Sequence, residues 1–307
     1  MASTDAFAPR DNLIGMGWMM VATTCFVAMH AGIRHVGETI HPFEIAFFRN
    51  VFGFLALTPM FLRHGWAPMR AKRPGLLGLR AVLNIGAMMC YFTALTMAPL
   101  ADVSGLGFLA PIFATLLAAV LLKERFGWRR ALAMGFGFAG ALIILKPGFA
   151  EIDTGHLLVV ISSLFWASAI LVIKRIARDD SSLTIALYMG LMMAPLSLPF
   201  AMLHWTWPSL TELTWMAGIG AAGAMAQWSF AESLKTGETA VVMPVDFMRL
   251  IWAAIVGYIA FSQEPGISTL IGGAVIFGGS TYIAIRESKG RRGAPPPPPP
   301  SPSNASV

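Results

Sequence analysis

Ten apolar runs, each close to twenty residues and separated by short polar connections, constrain this chain more than any other feature. They fall at 13–34, 43–63, 76–97, 101–122, 129–146, 155–174, 182–203, 212–234, 240–261 and 267–285. A helix needs ~20 apolar residues to cross the ~30 Å hydrocarbon core of a bilayer. Runs of that length without strict alternation specify helices rather than barrel strands. Connections such as "GETIHP", "KPGFAEIDTG" and "ARDDSS" supply the turn residues. Only 12% of the residues are charged, with mean hydropathy +0.66. Soluble domains carry about 25% charged residues, so a soluble surface could not be covered. The expected class is an all-α integral membrane protein with ten transmembrane helices.

Lysine and arginine set the orientation. With residues 1–12 in the cytoplasm, 17 of the 22 basic residues fall in inside loops and tails. The outside loops hold only Arg34 and Lys146, and Arg49, Arg80 and Arg249 lie within runs. That asymmetry satisfies the positive-inside rule. Both termini are expected in the cytoplasm, and the pI near 9.7 reports topology, not a nucleic-acid partner. The start "MASTDAFAPRDN" does not read as a cleavable signal. Cys25 and Cys90 read as isolated apolar fillers, with no disulfide or metal implied. The segment 289–307, with its run of prolines, reads as a disordered cytoplasmic tail.

A shift of 140 residues superimposes Gly15 on Gly155, Arg34 on Lys174, Pro59 on Pro199, His64 on His204, Glu124 on Glu264 and Lys146 on Arg286. These pairs mark equivalent places in the spans and argue for a duplication, with halves at 13–148 and 149–288. Each half holds five spans, an odd number, so the second half enters the membrane from the opposite face. The expectation is two inverted five-helix repeats, an architecture of secondary transporters whose substrate site lies near midplane between the repeats.

"FFRNVFGFLALTP", "YFTALTMAPLADVSGLGFLAPIFATLLAAVLLKER", "GFGFAGALIILKPG" and "MPVDFMRLIWAAIVGYIAFSQEP" resemble the EamA-like branch of the drug/metabolite transporter superfamily. The resemblance covers about residues 13–286 as two EamA-type halves. The second half departs from the pattern, with Leu250-Ile251 where the first has Ala110-Pro111, so a kink there would come from Pro244. The resemblance implies a carrier of small metabolites in the bacterial inner membrane, with a central cavity lined by the first four helices of each half. This subgroup looks most like uptake carriers for riboflavin or S-adenosylmethionine. Export of amino acids or drugs is the alternative.

The polar residues inside the runs are the candidate site. Asp246 and Arg249 stand three apart on the ninth span, on one helical face. Either ion alone at midplane costs about 2.5–3.5 kcal/mol on insertion scales. The pair reads as a substrate contact or proton-linked pair, or as a structural ion pair. Arg49 in the second span has no acid within helical reach. It reads as a receptor for a carboxylate, phosphate or electron-rich ring, or as a tether to Asp102 or Asp246. Asp102 reads as a helix cap. Gln227 is deep enough to need partners. Glu232 is a coupling candidate, or a surface partner of Lys235. Tyr91, Trp166, Trp228 and Trp252 offer stacking faces or ordinary packing, and His30 a proton relay or a hydrogen-bonded packing residue. Trp66, Trp128, Trp205, Trp207 and Trp215 lie near span ends, as interface anchors do.

"GFGFAG" at Gly135–Gly140 matches GxGxxG only formally, since no strand precedes it. Small residues there let helices approach closely. No Walker lysine, HExxH or nucleophile-elbow motif is present, which removes support for an ATP-driven pump or a hydrolase. An intramembrane enzyme would need convergent acid, base or metal ligands, and a channel is the other class to weigh. The leading expectation is a cofactor-free secondary carrier in a lipid bilayer, monomeric or homodimeric, that takes a small-molecule substrate.

Overall fold

The computed structural model describes residues 9–63, 71–121, 128–145, 153–176, 182–237 and 242–292. The helices are α1 (Pro9–Val36), α2 (Pro42–Arg63), α3 (Pro74–Met97), α4 (Leu100–Gly107), α5 (Leu109–Leu121), α6 (Trp128–Leu145), α7 (Thr154–Ile176), α8 (Ser182–Met202), α9 (Leu210–Thr236), a 3-10 segment (Met243–Phe247), α10 (Met248–Phe261) and α11 (Ile267–Arg292). α4 with α5, and the 3-10 segment with α10, each make one interrupted span, so the ten runs are ten helical passages. Span ends match the sequence pattern within a few residues, except that α11 continues past 285 to Arg292. Trp66, Glu124 and the proline-rich tail lie outside the described residues.

Local chemistry explains where the helices start. Pro42 and Pro74 open α2 and α3, where a missing N–H costs nothing. Ser209 and Glu212 form a capping box at α9, with Ser209 N donating to Glu212 Oε2 at 2.7 Å. The break between α4 and α5 follows from Pro111, which cannot donate to the carbonyl of Gly107 and crowds it. The backbone tightens there instead, with Phe108 N donating to Gly105 O at 3.3 Å. In the ninth span, the 3-10 segment contains Pro244 near its start, where the sequence reading expects the irregularity.

The helices pack in pairs that join the two halves of the chain. α1 runs along α9, α3 along α7, α2 against α8 and α6 against α11, while α4 meets α10 and α11. Small residues set the closest approaches. A Cβ on Gly15 would lie 2.8 Å from Gly237 Cα, and Ser233 Oγ donates to Gly15 O at 2.7 Å across the same seam. A Cβ on Gly140 would come 2.6 Å from Gly272 O, so "GFGFAG" is a packing surface for α11. One continuous apolar core draws on both halves, and the outward faces expose large apolar side chains such as Leu55, Leu142 and Ile259. By length and composition, Asp11–Val36, Pro74–Met97 and Thr154–Val172 each suffice to cross a membrane among the described residues.

The face where α1 ends and α2 begins is tied by polar contacts between the halves. Glu44 in the first turn of α2 is fully buried, and its Oε2 accepts from Thr206 N and Thr206 Oγ1, each at 3.0 Å. Thr39 Oγ1 donates to Glu212 Oε1 at 2.7 Å, and His41 stacks on His204 with ring centroids 4.1 Å apart. Leu100 N donates to Gln263 Oε1 at 3.0 Å, tying the start of α4 to the α10–α11 connection.

Candidate functional site

The two interrupted spans bring their breaks together. Phe108, at the junction of α4 and α5, has its ring 6.2 Å from Phe247 at the end of the 3-10 segment. Phe277 of α11 packs against both, at 5.6 and 4.8 Å. Just beyond, Arg249 Nη2 donates to Asp246 Oδ2 at 3.1 Å, with Asp246 6% exposed. The guanidinium lies over the Phe108 ring, 4.8 Å from its centroid, and 5.7 Å from that of Phe26 on α1. A cation between aromatic faces in a desolvated site gains up to ~2 kcal/mol. The pair is held by its partner and by rings together.

α1 and α3 complete this centre. His30 is buried, with its ring 5.1 Å from that of Tyr91 and 6.3 Å from that of Phe26. Tyr91 packs beside Gly107, its hydroxyl oxygen at ordinary contact distance, 3.6 Å, from where a Cβ would lie. Several buried polar atoms have no partner among the described residues. They are His30 Nδ1, Ser104 Oγ, Asp246 Oδ1, Arg249 Nε and Trp252 Nε1. A buried polar group left unpaired costs ~1–3 kcal/mol, and five of them on α1, α4 and the ninth span leave hydrogen-bonding capacity free for a ligand or water.

Arg49 forms a second pole. Its Nη1 donates to Asn50 Oδ1 at 2.9 Å and approaches Met88 Sδ of α3 at 3.6 Å. Gly223 of α9 makes the space, since a Cβ there would sit 3.3 Å from Arg49 Nε. Asn50 is anchored in turn, donating to Ser197 Oγ of α8 at 3.3 Å. Among the described residues Arg49 has no carboxylate partner, so neither Asp102 nor Asp246 tethers it. His30 lies within electrostatic reach of both Arg49 and Arg249.

The remaining sequence candidates scatter. Gln227 is exposed on α9, one turn beyond Gly223 and so on the Arg49 side. Trp228, five residues past Gly223 and about 140° around the helix from it, is 43% exposed and packs edge-on to Trp18 at 5.4 Å. That is the outer seam of α1 and α9. Trp166 is 38% exposed on α7. Glu232 is half-buried near the end of α9, and the side chain of Lys235 lies outside the described residues. His30 has no hydrogen bond at Nδ1 among the described residues.

Asp102 departs from its expected role. It does not cap α4, whose N-cap is Pro99 without a side-chain bond. Its Oδ2 lies 3.1 Å from His156 Nε2 of α7, and its Oδ1 accepts from Thr269 Oγ1 of α11. These groups, with Gln263 and Glu264, line a cavity of about 240 Å³ at the far end of α4, away from the Arg249 centre. Sequence reasoning also missed Glu44, Asn50 and Ser104. Glu44 carried a signal, an acid in the first turn of a helix at the membrane face, but its partner lies 162 residues away.

The family model of EamA-like transporters matches residues 13–146 and 153–285. The chain belongs to the EamA-like transporter family. This EamA-like transporter is a multi-pass membrane protein, and its family and relatives imply a small-molecule substrate. An S-adenosylmethionine uptake transporter of Rickettsia felis is 28% identical over 282 residues, 92% of this chain and 96% of that one. A riboflavin transporter of Vibrio cholerae is 28% identical over 290 residues, 91% and 96% of the two chains. A solved crystal structure shares the fold with TM-score 0.58 and 22% identity, covering 91% of this chain and 98% of that one.

Proposed function

We propose that this EamA-like transporter carries a planar heteroaromatic metabolite across a bacterial inner membrane by alternating access, with both termini cytoplasmic. The observation that carries the reading is the pairing of an unneutralised Arg49 with the ring-flanked Arg249–Asp246 pair, where two interrupted spans meet. An ionisable residue inside a membrane bundle marks a substrate or ion path by default. Discontinuous helices at midplane are the usual frame of such a site.

In this site Phe26, Phe108, Tyr91 and Trp252 flank the ring system, Arg49 takes an anionic or electron-rich group, and Asp246 Oδ1 accepts from a donor on the ligand. Gln227 and Trp166 border the path. The relatives named for S-adenosylmethionine and riboflavin handle ligands of this kind, which supports uptake of one of these.

Alternating access needs two related states, and an inverted repeat supplies them. Exchanging each helix for its counterpart turns the α1–α9 contact into α7–α3, α2–α9 into α8–α3, and α2–α8 and α6–α11 into themselves, and each of these contacts is present. Gly15 against Gly237 has its counterpart 140 residues on in Gly155, where a Cβ would lie 3.1 Å from Met97 Cβ. These correspondences support two oppositely oriented halves, and the arginine and lysine distribution supports the inward placement of the termini.

Counterflow in liposomes tests the function. Purified protein preloaded with unlabelled S-adenosylmethionine or riboflavin should accumulate the labelled compound without ATP. Absence of exchange for both, with folded protein in the bilayer, rejects the substrate assignment.

A further inference from the structure

Arg80 belongs to none of the contacts above. It lies on α3, six residues or about 9 Å from the helix start. Its Nε and Nη1 are buried without an acceptor among the described residues. One turn on, Asn84 is buried, its Nδ2 reaching only Met189 Sδ at 3.7 Å and its Oδ1 unpaired. One turn further, Met88 touches Arg49, and Tyr91 follows in the central cluster. Residues 80, 84, 88 and 91 share one face of α3 by their spacing of four, four and three. A polar track thus runs from the end of α3 that bears Lys72 and Arg73 to the centre. About 12 Å along the helix separates Arg80 from the level of Met88.

We propose that Arg80 and Asn84 form a second anion site on the cytoplasmic side of Arg49, which the carboxylate or phosphate of the substrate occupies between the central site and the cytoplasm. The inference rests on the transport reading and narrows its substrate to one with an anionic group, which S-adenosylmethionine has and riboflavin lacks. Arg80 supplies charged donors and Asn84 an amide that both donates and accepts, a set that fits an oxyanion. Unpaired guanidinium inside a membrane bundle is costly. Two guanidinium groups without a carboxylate among the described residues, Arg80 on the track and Arg49 at its end, make stepwise hand-over of a single anionic group possible. The device is present in one half only. The positions 140 residues on, in α9, are Gly220 and Ala224, and Phe52 of α2 crowds the glycine, with its Cβ 2.7 Å from where a Cβ on Gly220 would lie. The anion step therefore exists toward the cytoplasm and has no counterpart toward the outside.

Phenylglyoxal labelling of the full-length protein in detergent tests this, read at Arg49 and Arg80 separately by peptide mass spectrometry. Inorganic phosphate and S-adenosylmethionine, which bears a carboxylate, are each expected to slow labelling of Arg80 severalfold. Riboflavin, which has no anionic group, should leave it unchanged. Labelling of Arg80 that neither anion slows, or an Arg80 the reagent never reaches, overturns the second site. Protection of Arg80 without protection of Arg49 sustains it and counts instead against Arg49 in the central site. In counterflow, Arg80→Ala should raise the KM for S-adenosylmethionine about tenfold, the scale of one lost charge-assisted hydrogen bond, with partial rescue by Arg80→Lys. The labelling on wild-type protein stands whether or not the alanine variant folds.

Discussion

Arg249 bonds Asp246 across the junction between the 3-10 segment and α10, at 3.1 Å. The two residues are three apart, yet the bond joins the end of an irregular turn to the start of a regular helix. Removing one partner leaves the other charged, buried and alone, which typically costs ~3–5 kcal/mol. Asp246→Asn and Arg249→Gln should each lower the thermal midpoint in detergent and abolish counterflow. The double variant should recover part of the stability and none of the transport. Recovered transport would make the pair purely structural.

Arg49→Ala should leave folded protein with a modestly lowered thermal midpoint, because buried Asn50 keeps its bond to Ser197 but its Oδ1 loses the Arg49 donor, a loss of ~1–3 kcal/mol. Transport should fall by about tenfold to a hundredfold, the range of a lost hydrogen bond to a charged group. Arg49→Lys should retain part of it. A variant that fails to accumulate as folded protein would show that Arg49 holds helices together.

Gly15 and Gly155 test the seams of the two halves. Side chains at either position meet neighbouring atoms at 2.8–3.1 Å before any relaxation. Gly15→Leu and Gly155→Leu should each destabilise by at least ~1–3 kcal/mol, as overpacked sites do, seen as lower melting temperatures of the purified protein. If one variant melts like wild type, the two seams are not equivalent.

The stacked imidazoles of His41 and His204 make stability depend on pH. Burial and the neighbouring His204 hold the His41 pKa below its ordinary 6.5. The folded state therefore binds fewer protons than the unfolded chain near that value, and stability rises with pH. The contribution is present above about 6.5 and is lost as pH falls below it. The melting temperature should drop on acidification, and His204→Gln should flatten that drop. An unchanged slope in the variant would assign the effect to other groups.

The bundle was legible in the sequence because lipid imposes a simple rule: each backbone polar group must be satisfied within its own helix. That rule converts apolar length directly into ten passages, and Pro111 and Pro244 fall at two interruptions, although Pro195 and Pro199 lie within the unbroken α8, so proline alone does not decide where a span breaks. The Asp246–Arg249 pair was equally readable, since three residues on one helix face need no tertiary knowledge. What sequence could not supply was depth and facing between helices. Trp228 and Gln227 are adjacent in the chain, yet one joins the outer seam and the other the Arg49 side, because neighbouring residues on a helix point ~100° apart. Asp102 looked like a cap and became the partner of His156 and Thr269, which lie 54 and 167 residues away. Composition and periodicity determined that the chain crosses the membrane. Only the packing of one half against the other decided which charged groups meet an opposite charge and which, like Arg49 and Arg80, meet no carboxylate among the described residues.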